Sequence, residues 1–214
     1  TTDNALESTA AQHSDCLLIL DEIGQAEGRI VGDCAYMLAN EQEKGRSTRS
    51  SMLRRKRTWR LLFLSSGEKG LADHMAEAGK KPNEGQLLRM PSVPADAGAG
   101  LGVLEELHGA DDGKAFVEAI TQAAAIHYGT AGAEWLQWLA DHRDEATTRA
   151  STLMQRFQAE CVPEHAHPQV RRVAARFAVV AAAGELATKA GLTGWEAGEA
   201  VRGVRRCFEG WLAK

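Results

Sequence analysis

No two cysteines in this 214-residue sequence are spaced as C-x-x-C; the four present, Cys16, Cys34, Cys161 and Cys207, are scattered. That spacing argues against a zinc ribbon or a dithiol redox motif, and a chain of this length needs no disulfide staples, so a reducing cytoplasm is expected. Cys16 and Cys34 lie in apolar contexts and are expected to be buried small hydrophobes. There is no signal peptide and no run of about 18 apolar residues, which argues against secretion and membrane spanning. Nucleophile-elbow and protein-kinase signatures are missing. So is the phosphate-cradling loop G-x-x-x-x-G-K-[ST]; Lys44-Gly45-Arg46-Ser47-Thr48 and Ser66-Gly67-Glu68-Lys69-Gly70 hold related residues in the wrong order. The sequence opens Thr1-Thr2-Asp3 without an initiator Met, which gives the expectation of a fragment cut from a longer polypeptide, with removal of the Met by processing as the alternative.

A strong overall charge is lacking too. The net value is −4, too small to announce a nucleic-acid or membrane partner. Its distribution is uneven: residues 1–43 carry nine acids and one base, whereas residues 44–60 carry eight bases and no acid.

Against these absences stands Leu17-Leu18-Ile19-Leu20-Asp21-Glu22. Four consecutive aliphatic residues predict a strand buried on both faces, as in a parallel sheet covered by helices. Acids at the C-terminal end of such a strand sit where open α/β sheets bind ligands. In P-loop nucleotide hydrolases this is the Walker B position, with Asp21 toward Mg²⁺ and Glu22 toward the attacking water. The bland alternative is a core strand whose acids meet solvent.

Periodicity predicts a short helix over 4–14, with Asp3 as a possible N-cap, and a longer one over 26–43 through Ile30, Val31, Cys34, Met37 and Leu38. A second apolar run, Leu61 to Leu64, ends in Ser65-Ser66 and reads as a second strand. A helix over 71–78 closed by Gly79 follows, then a short extended segment over 86–94, read as a third strand. Beyond a small-residue linker the pattern is helical throughout: 114–127, 131–139, 144–161, a helix opened by Pro168, and a last helix with a Thr193–Glu196 capping box. The expected fold is therefore α/β, a partial P-loop core with a mostly parallel sheet over 1–97, followed by an all-helical region over 103–214. Helix is expected to predominate overall.

Ser65 and Ser66 occupy the place where, in helicase-like ATPases, a polar strand end senses the γ-phosphate or orients the lytic water. A plain helix-entry loop remains the other reading. The basic segment, Lys44, Arg46, Arg49, Arg54, Arg55, Lys56 and Arg57, allows three. It can neutralise nucleic-acid phosphates; Arg46 or Arg49 can serve as an arginine finger toward a neighbouring subunit; or it is a solvated loop, since no stacking aromatic lies inside it. Trp59, at its edge, is expected to pack against the strand. His165 and His167 have no ligand partner beyond Cys161, so a loop is expected there rather than a metal site. Arg171, Arg172 and Arg176 read as a solvated helix face.

Taken in order, Thr2 to Glu7, Leu17 to Gln25, Ala35 to Asn40, Lys44 to Arg46 and Trp59 to Glu68 resemble the C-terminal part of a bacterial and phage family of primase-helicases, long catalogued as a domain of unknown function. Val170 to Ala181 and Gly191 to Trp195 are similar to that family's tail. The resemblance implies a P-loop ATPase core of the helicase/AAA+ kind, with Asp21 and Glu22 at Walker B and Ser65–Ser66 at the sensor position. It implies ATP and Mg²⁺ as cofactors, DNA as partner and a ring-forming homo-oligomer for the parent protein. Without the phosphate loop, the chain alone is expected to bind no nucleotide tightly. The competing expectation is a non-catalytic DNA-binding or protein-interaction module that keeps an ATPase-like fold.

Overall fold

The computed structural model describes residues 3–21, 28–43 and 56–213. The chain divides into two compact units, residues 1–92 and 93–214. Helix predominates, with one small parallel sheet.

The first unit holds α1 (Asp3–Gln12), β1 (Leu17–Leu20), α2 (Gly28–Ala39), β2 (Leu62–Ser65), α3 (Leu71–Glu77) and α4 (Glu84–Arg89). β1 and β2 pair in parallel, Leu17 opposite Leu62 through Leu20 opposite Ser65. Parallel strands require a crossover, and α2 lies within it. Leu6 and Ala10 of α1, Leu18 of β1, and Cys34, Met37 and Leu38 of α2 close into one core around Trp59. The Trp59 indole N–H donates to the Leu38 carbonyl at 2.9 Å, satisfying its one polar atom inside that core.

Both strands depart from the expectation of two covered faces. Leu18 is buried, while Leu17, Ile19, Leu62 and Leu64 are exposed, Ile19 at 67% and Leu64 at 60%. The physical reason is local: α1 and α2 supply side chains to one face only, and no described element covers the other. Cys16 is exposed rather than buried, because it precedes the strand; Cys34 is buried as expected.

The expected third strand is a helix. Asn83 and Gln86 form a reciprocal capping box at the start of α4, the Gln86 carboxamide oxygen accepting from the Asn83 backbone N–H at 2.9 Å. Leu87 and Met90, three apart, then pack on Ala35, Leu71 and Met75. A cap plus a three-residue apolar step outweighed the extended reading of the same residues.

The second unit holds α5 (Gly113–Ile126), α6 (Thr130–Asp141), α7 (Arg143–Cys161), α8 (Pro168–Lys189) and α9 (Glu199–Leu212). Its core is the packing of α7, α8 and α9. Phe208 meets Phe157 and Phe177 edge-on, with ring centroids 6.2 and 5.5 Å apart. Val173, Ala174, Ala178, Ala181 and Ala182 give α8 a small-residue face that lets its neighbours approach. At Gly184 the approach is closest: a Cβ there would lie 2.5 Å from the Ala200 Cβ. Neither α5 nor α6 buries a single residue.

Thr193 and Glu196 do not cap α9, which starts at Glu199. Thr193 Oγ1 instead shares a 2.9 Å hydrogen bond with Thr188 Oγ1 and accepts from the Trp195 N–H at 3.2 Å. The cap comes from α8: Glu185 accepts the Gly198 N–H at 2.8 Å on one carboxylate oxygen and the Val201 N–H at 3.1 Å on the other. A carboxylate on the first-turn donors is the stabilising sign at a helix N-terminus. Further along α9, Glu160 of α7 accepts from Arg156 at 2.6 Å and from Arg205 at 2.7 Å. The Arg156 hydrogen bond, with Arg205 added, holds the Glu160 carboxyl below its ordinary range.

Gly184→Ala is expected to cost about 1–3 kcal/mol, the usual range for forcing extra volume into a packed contact, seen as a lower midpoint in urea unfolding. The Glu160 ties contribute stability above the carboxyl's unfolded pKa, and that contribution fades as pH falls through the lowered folded value. Glu160→Gln should therefore flatten the acid limb of a stability-versus-pH profile, read by thermal unfolding.

Candidate functional site

Parallel register fixes what meets at the C-terminal edge of the sheet. With Leu20 opposite Ser65, the next residues in each chain segment, Asp21 and Ser66, leave the strands side by side. The Ser66 hydroxyl donates to Asp21 Oδ1 at 2.6 Å, the short distance of a hydroxyl-to-carboxylate bond. Ser65 Oγ donates to the Ser66 carbonyl at 3.1 Å. Asp21 and Ser66 are exposed and Ser65 is half-buried. Two residues 45 apart in sequence are thus brought together by strand register alone.

The chemistry open to this pair is that of hard oxygen ligands. Ser66 fixes the orientation of the Asp21 carboxylate, whose Oδ2 has no partner among the described residues. Mg²⁺ keeps several waters and asks for only one or two carboxylates, so an oriented Asp beside a hydroxyl fits it better than it fits zinc. Among the described residues, no three His, Cys, Asp or Glu side chains converge as a closed metal site. His165 and His167 lie in the loop before α8, where His167 Nδ1 accepts from the Gln169 N–H at 3.4 Å. Lys69, in the loop after Ser66, donates to Glu77 at 2.5 Å, which raises the ammonium pKa and lowers that of the carboxyl.

Glu22, Lys44, Arg46, Arg49, Arg54 and Arg55 lie outside the described residues. Lys56 and Arg57 are described, and they differ. Lys56 is exposed and lines an open cleft of about 540 Å³ with Asp33, Tyr36, Asn40 and Gln42. Arg57 turns inward. Its Nε donates to Glu43 Oε2 at 2.9 Å and its NH1 to Ser8 Oγ at 2.8 Å, and Glu43 is only 5% exposed. Backbone bonds reinforce the tie: the Glu43 N–H donates to the Arg57 carbonyl at 2.9 Å and the Trp59 N–H to the Glu41 carbonyl at 3.0 Å. Gln42 and Thr58 form an antiparallel bridge. The basic segment therefore departs from and returns to a closed base.

The Glu43–Arg57–Ser8 network is the feature sequence reasoning missed. Its signal was present: the last acid before the basic segment and the last base of the run Arg54 to Arg57 mark the two sides of the closure. Also unforeseen was Arg89, whose guanidinium lies 4.3 Å from the Tyr36 ring centroid and joins α4 to α2.

Among known families, one described as a domain of unknown function (DUF927) matches residues 1–58. That stretch includes α1, β1, Asp21 and α2 and stops before β2 and Ser66. No curated protein and no solved structure matches the chain. Among the described residues no helix is long and apolar enough to cross a membrane.

Arg57→Ala takes the guanidinium away from a buried carboxylate and, with the Arg57 side chain a third exposed, should cost about 1–3 kcal/mol, the scale of losing a charged hydrogen-bond partner. Arg57→Ala combined with Glu43→Gln should recover part of that loss. The check is a double-mutant cycle by urea unfolding; an Arg57→Ala protein as stable as the parent would show that the pair contributes nothing.

Proposed function

We propose that residues 1–92 form the acid-and-sensor half of an ATP-dependent enzyme that acts on DNA, of the helicase or primase-associated kind found in phages and mobile elements. The observation that carries this reading is the Ser66–Asp21 hydrogen bond at the C-terminal ends of two parallel strands joined through a helix. An oriented acid at a strand end, with a polar residue ending the neighbouring strand, is the arrangement that phosphoryl transfer requires for metal and water placement.

In this reading Asp21 would be the residue that holds Mg²⁺, and the ion together with ATP would supply the charge neutralisation that phosphoryl transfer needs. Ser66 fixes the Asp21 rotamer through Oδ1, which would leave Oδ2 to face the ion. Glu22 orients and deprotonates the attacking water. Ser65 or Ser66 senses the γ-phosphate. The phosphate-cradling loop does not occur in these 214 residues, so a complete nucleotide site takes that loop from another segment or chain. The exposed apolar face of β1 and β2 offers a place for further secondary structure to dock beside the pair. In a ring of subunits, Arg46 or Arg49 would reach a neighbour's nucleotide.

A second reading, a DNA-binding module without catalysis, draws on a different observation. Lys44, Arg46, Arg49, Arg54, Arg55 and Lys56 lie between two ends closed by Glu43 and Arg57. Phosphate contacts of this kind weaken steeply with salt.

The 214-residue chain alone is expected to show no measurable ATPase. In a longer polypeptide that joins it to a phosphate loop, Glu22→Gln should abolish turnover and spare ATP binding, and Ser66→Ala should lower kcat by about 10–100-fold, the scale of losing one positioned group. Undiminished hydrolysis by the Glu22 variant sinks the enzymatic reading. Neutralising Arg54, Arg55 and Lys56 together, with Arg57 left in place, should weaken single-stranded DNA binding and reduce its salt dependence. Unchanged binding removes the DNA role of the segment.

A further inference from the structure

Gln86, at the start of α4, is only 6% exposed, and its carboxamide is half used. Oε1 accepts from the Asn83 N–H at 2.9 Å, which settles which end of the group is oxygen. The Nε2 donor finds no acceptor among the described residues. Buried donors are nearly always satisfied, so one left over calls for an acceptor from outside the fold. Gln86 lines the cleft of about 540 Å³ with Asp33, Tyr36, Asn40, Gln42 and Lys56. That volume lies within the range of small-molecule sites.

Three segments build the walls. Asp33 and Tyr36 stand three residues apart on α2 and Asn40 follows four later, a spacing that keeps them on one side of the helix. Gln42 and Lys56 come from the two sides of the closed base, next to the Gln42–Thr58 bridge. Gln86 comes from the first turn of α4. Tyr36 is held in place: Arg89, itself tied to the Gly85 carbonyl at 2.8 Å, sets its guanidinium 4.3 Å from the ring centroid. Tyr36 nonetheless stays 44% exposed.

The chemistry of these walls selects among ligands. An oriented aromatic ring, carboxamides and a carboxylate at one opening suit a flat molecule with both donors and acceptors on its edge, which describes a nucleobase. A sugar would use the same amides but leave the Lys56 ammonium unmatched. Lys56 belongs to the basic segment, and a phosphate attached to the base answers its charge.

We propose that this cleft takes one unpaired base of single-stranded DNA, with Tyr36 stacking on it, Gln86 Nε2 donating to its edge and Lys56 meeting its phosphate. Such a site rests on the DNA-binding reading above and adds a place where the base, and not only the backbone, is held. Backbone contacts alone do not sense the base, so the two separate in experiment.

Fluorescence anisotropy on the full chain, with single-stranded oligonucleotides of about 12 nucleotides to match the span of such sites, is the test. Tyr36→Ala should weaken binding about tenfold, the scale of losing one stacked base, and Tyr36→Phe should keep it. Gln86→Glu retains the oxygen that caps α4 and removes the Nε2 donor, so it should weaken binding with circular dichroism unchanged. An abasic oligonucleotide of equal phosphate count should bind the unaltered chain about tenfold more weakly than its parent, and the Tyr36→Ala chain should no longer tell the two apart. Binding that falls when Arg54 and Arg55 are neutralised, yet ignores Tyr36→Ala, Gln86→Glu and the abasic change, leaves the DNA role standing and overturns the base site. No binding of either oligonucleotide ends both. Free dAMP that binds as tightly as the oligonucleotide, and depends on Tyr36, overturns the strand as the occupant.

Discussion

The ion pair between Arg57 and the buried Glu43 sets the geometry of the first unit. It holds residues 56–60 against residues 41–43, so that Trp59 enters the core and β2 begins at a defined place. Once β2 begins there, strand pairing leaves no freedom: a one-residue slip would turn every side chain to the opposite face. The meeting of Ser66 with Asp21 is therefore a distant result of a contact at the other end of the strand. The most basic segment of the sequence is shut at its base by one of its own arginines, which is structural rather than ligand-facing.

The second unit is ordered by a different constraint, the close approach of α8 and α9 at Gly184 and Ala200. Glu185, the next residue, uses that proximity to cap α9 with both carboxylate oxygens. Packing and capping thus sit on adjacent residues of one helix and act on one neighbour. The contrast with α5 and α6 is physical: those helices carry apolar side chains without a described surface to receive them.

How much could be read from residues alone depended on range. Strand runs ending in acids or serines were legible, because a buried strand has a simple apolar signature and parallel strands leave their C-terminal ends together. Both strands formed, and the hydrogen bond from Ser66 to Asp21 at their ends is a contact that the residues alone did not specify. Less legible was everything decided by a partner elsewhere. The segment 86–94 looks extended until Asn83 is recognised as its cap. Thr193 and Glu196 have capping-box spacing, but Glu185 reaches the helix start first. Arg57 is indistinguishable from its neighbours in a run of four bases until the buried carboxylate opposite it is known. The apolar runs of β1 and β2 announce burial on two faces, and only one receives helices within the described residues.

The pairing of just two strands has a consequence for solubility. Among the described residues, β1 and β2 each keep one edge of backbone N–H and C=O groups without a strand partner, beside apolar side chains that face outward. Such edges recruit other extended chains and template cross-β stacking. The charges placed against this are Asp15 and Arg60, which lie just ahead of the two strands and pair with each other at 2.7 Å, both side chains largely exposed. Flanking charges of this kind act as gatekeepers, and exposed ones are screened over about 8–10 Å at physiological salt. Salt that screens the Asp15–Arg60 pair thus weakens the charge that stands beside those edges.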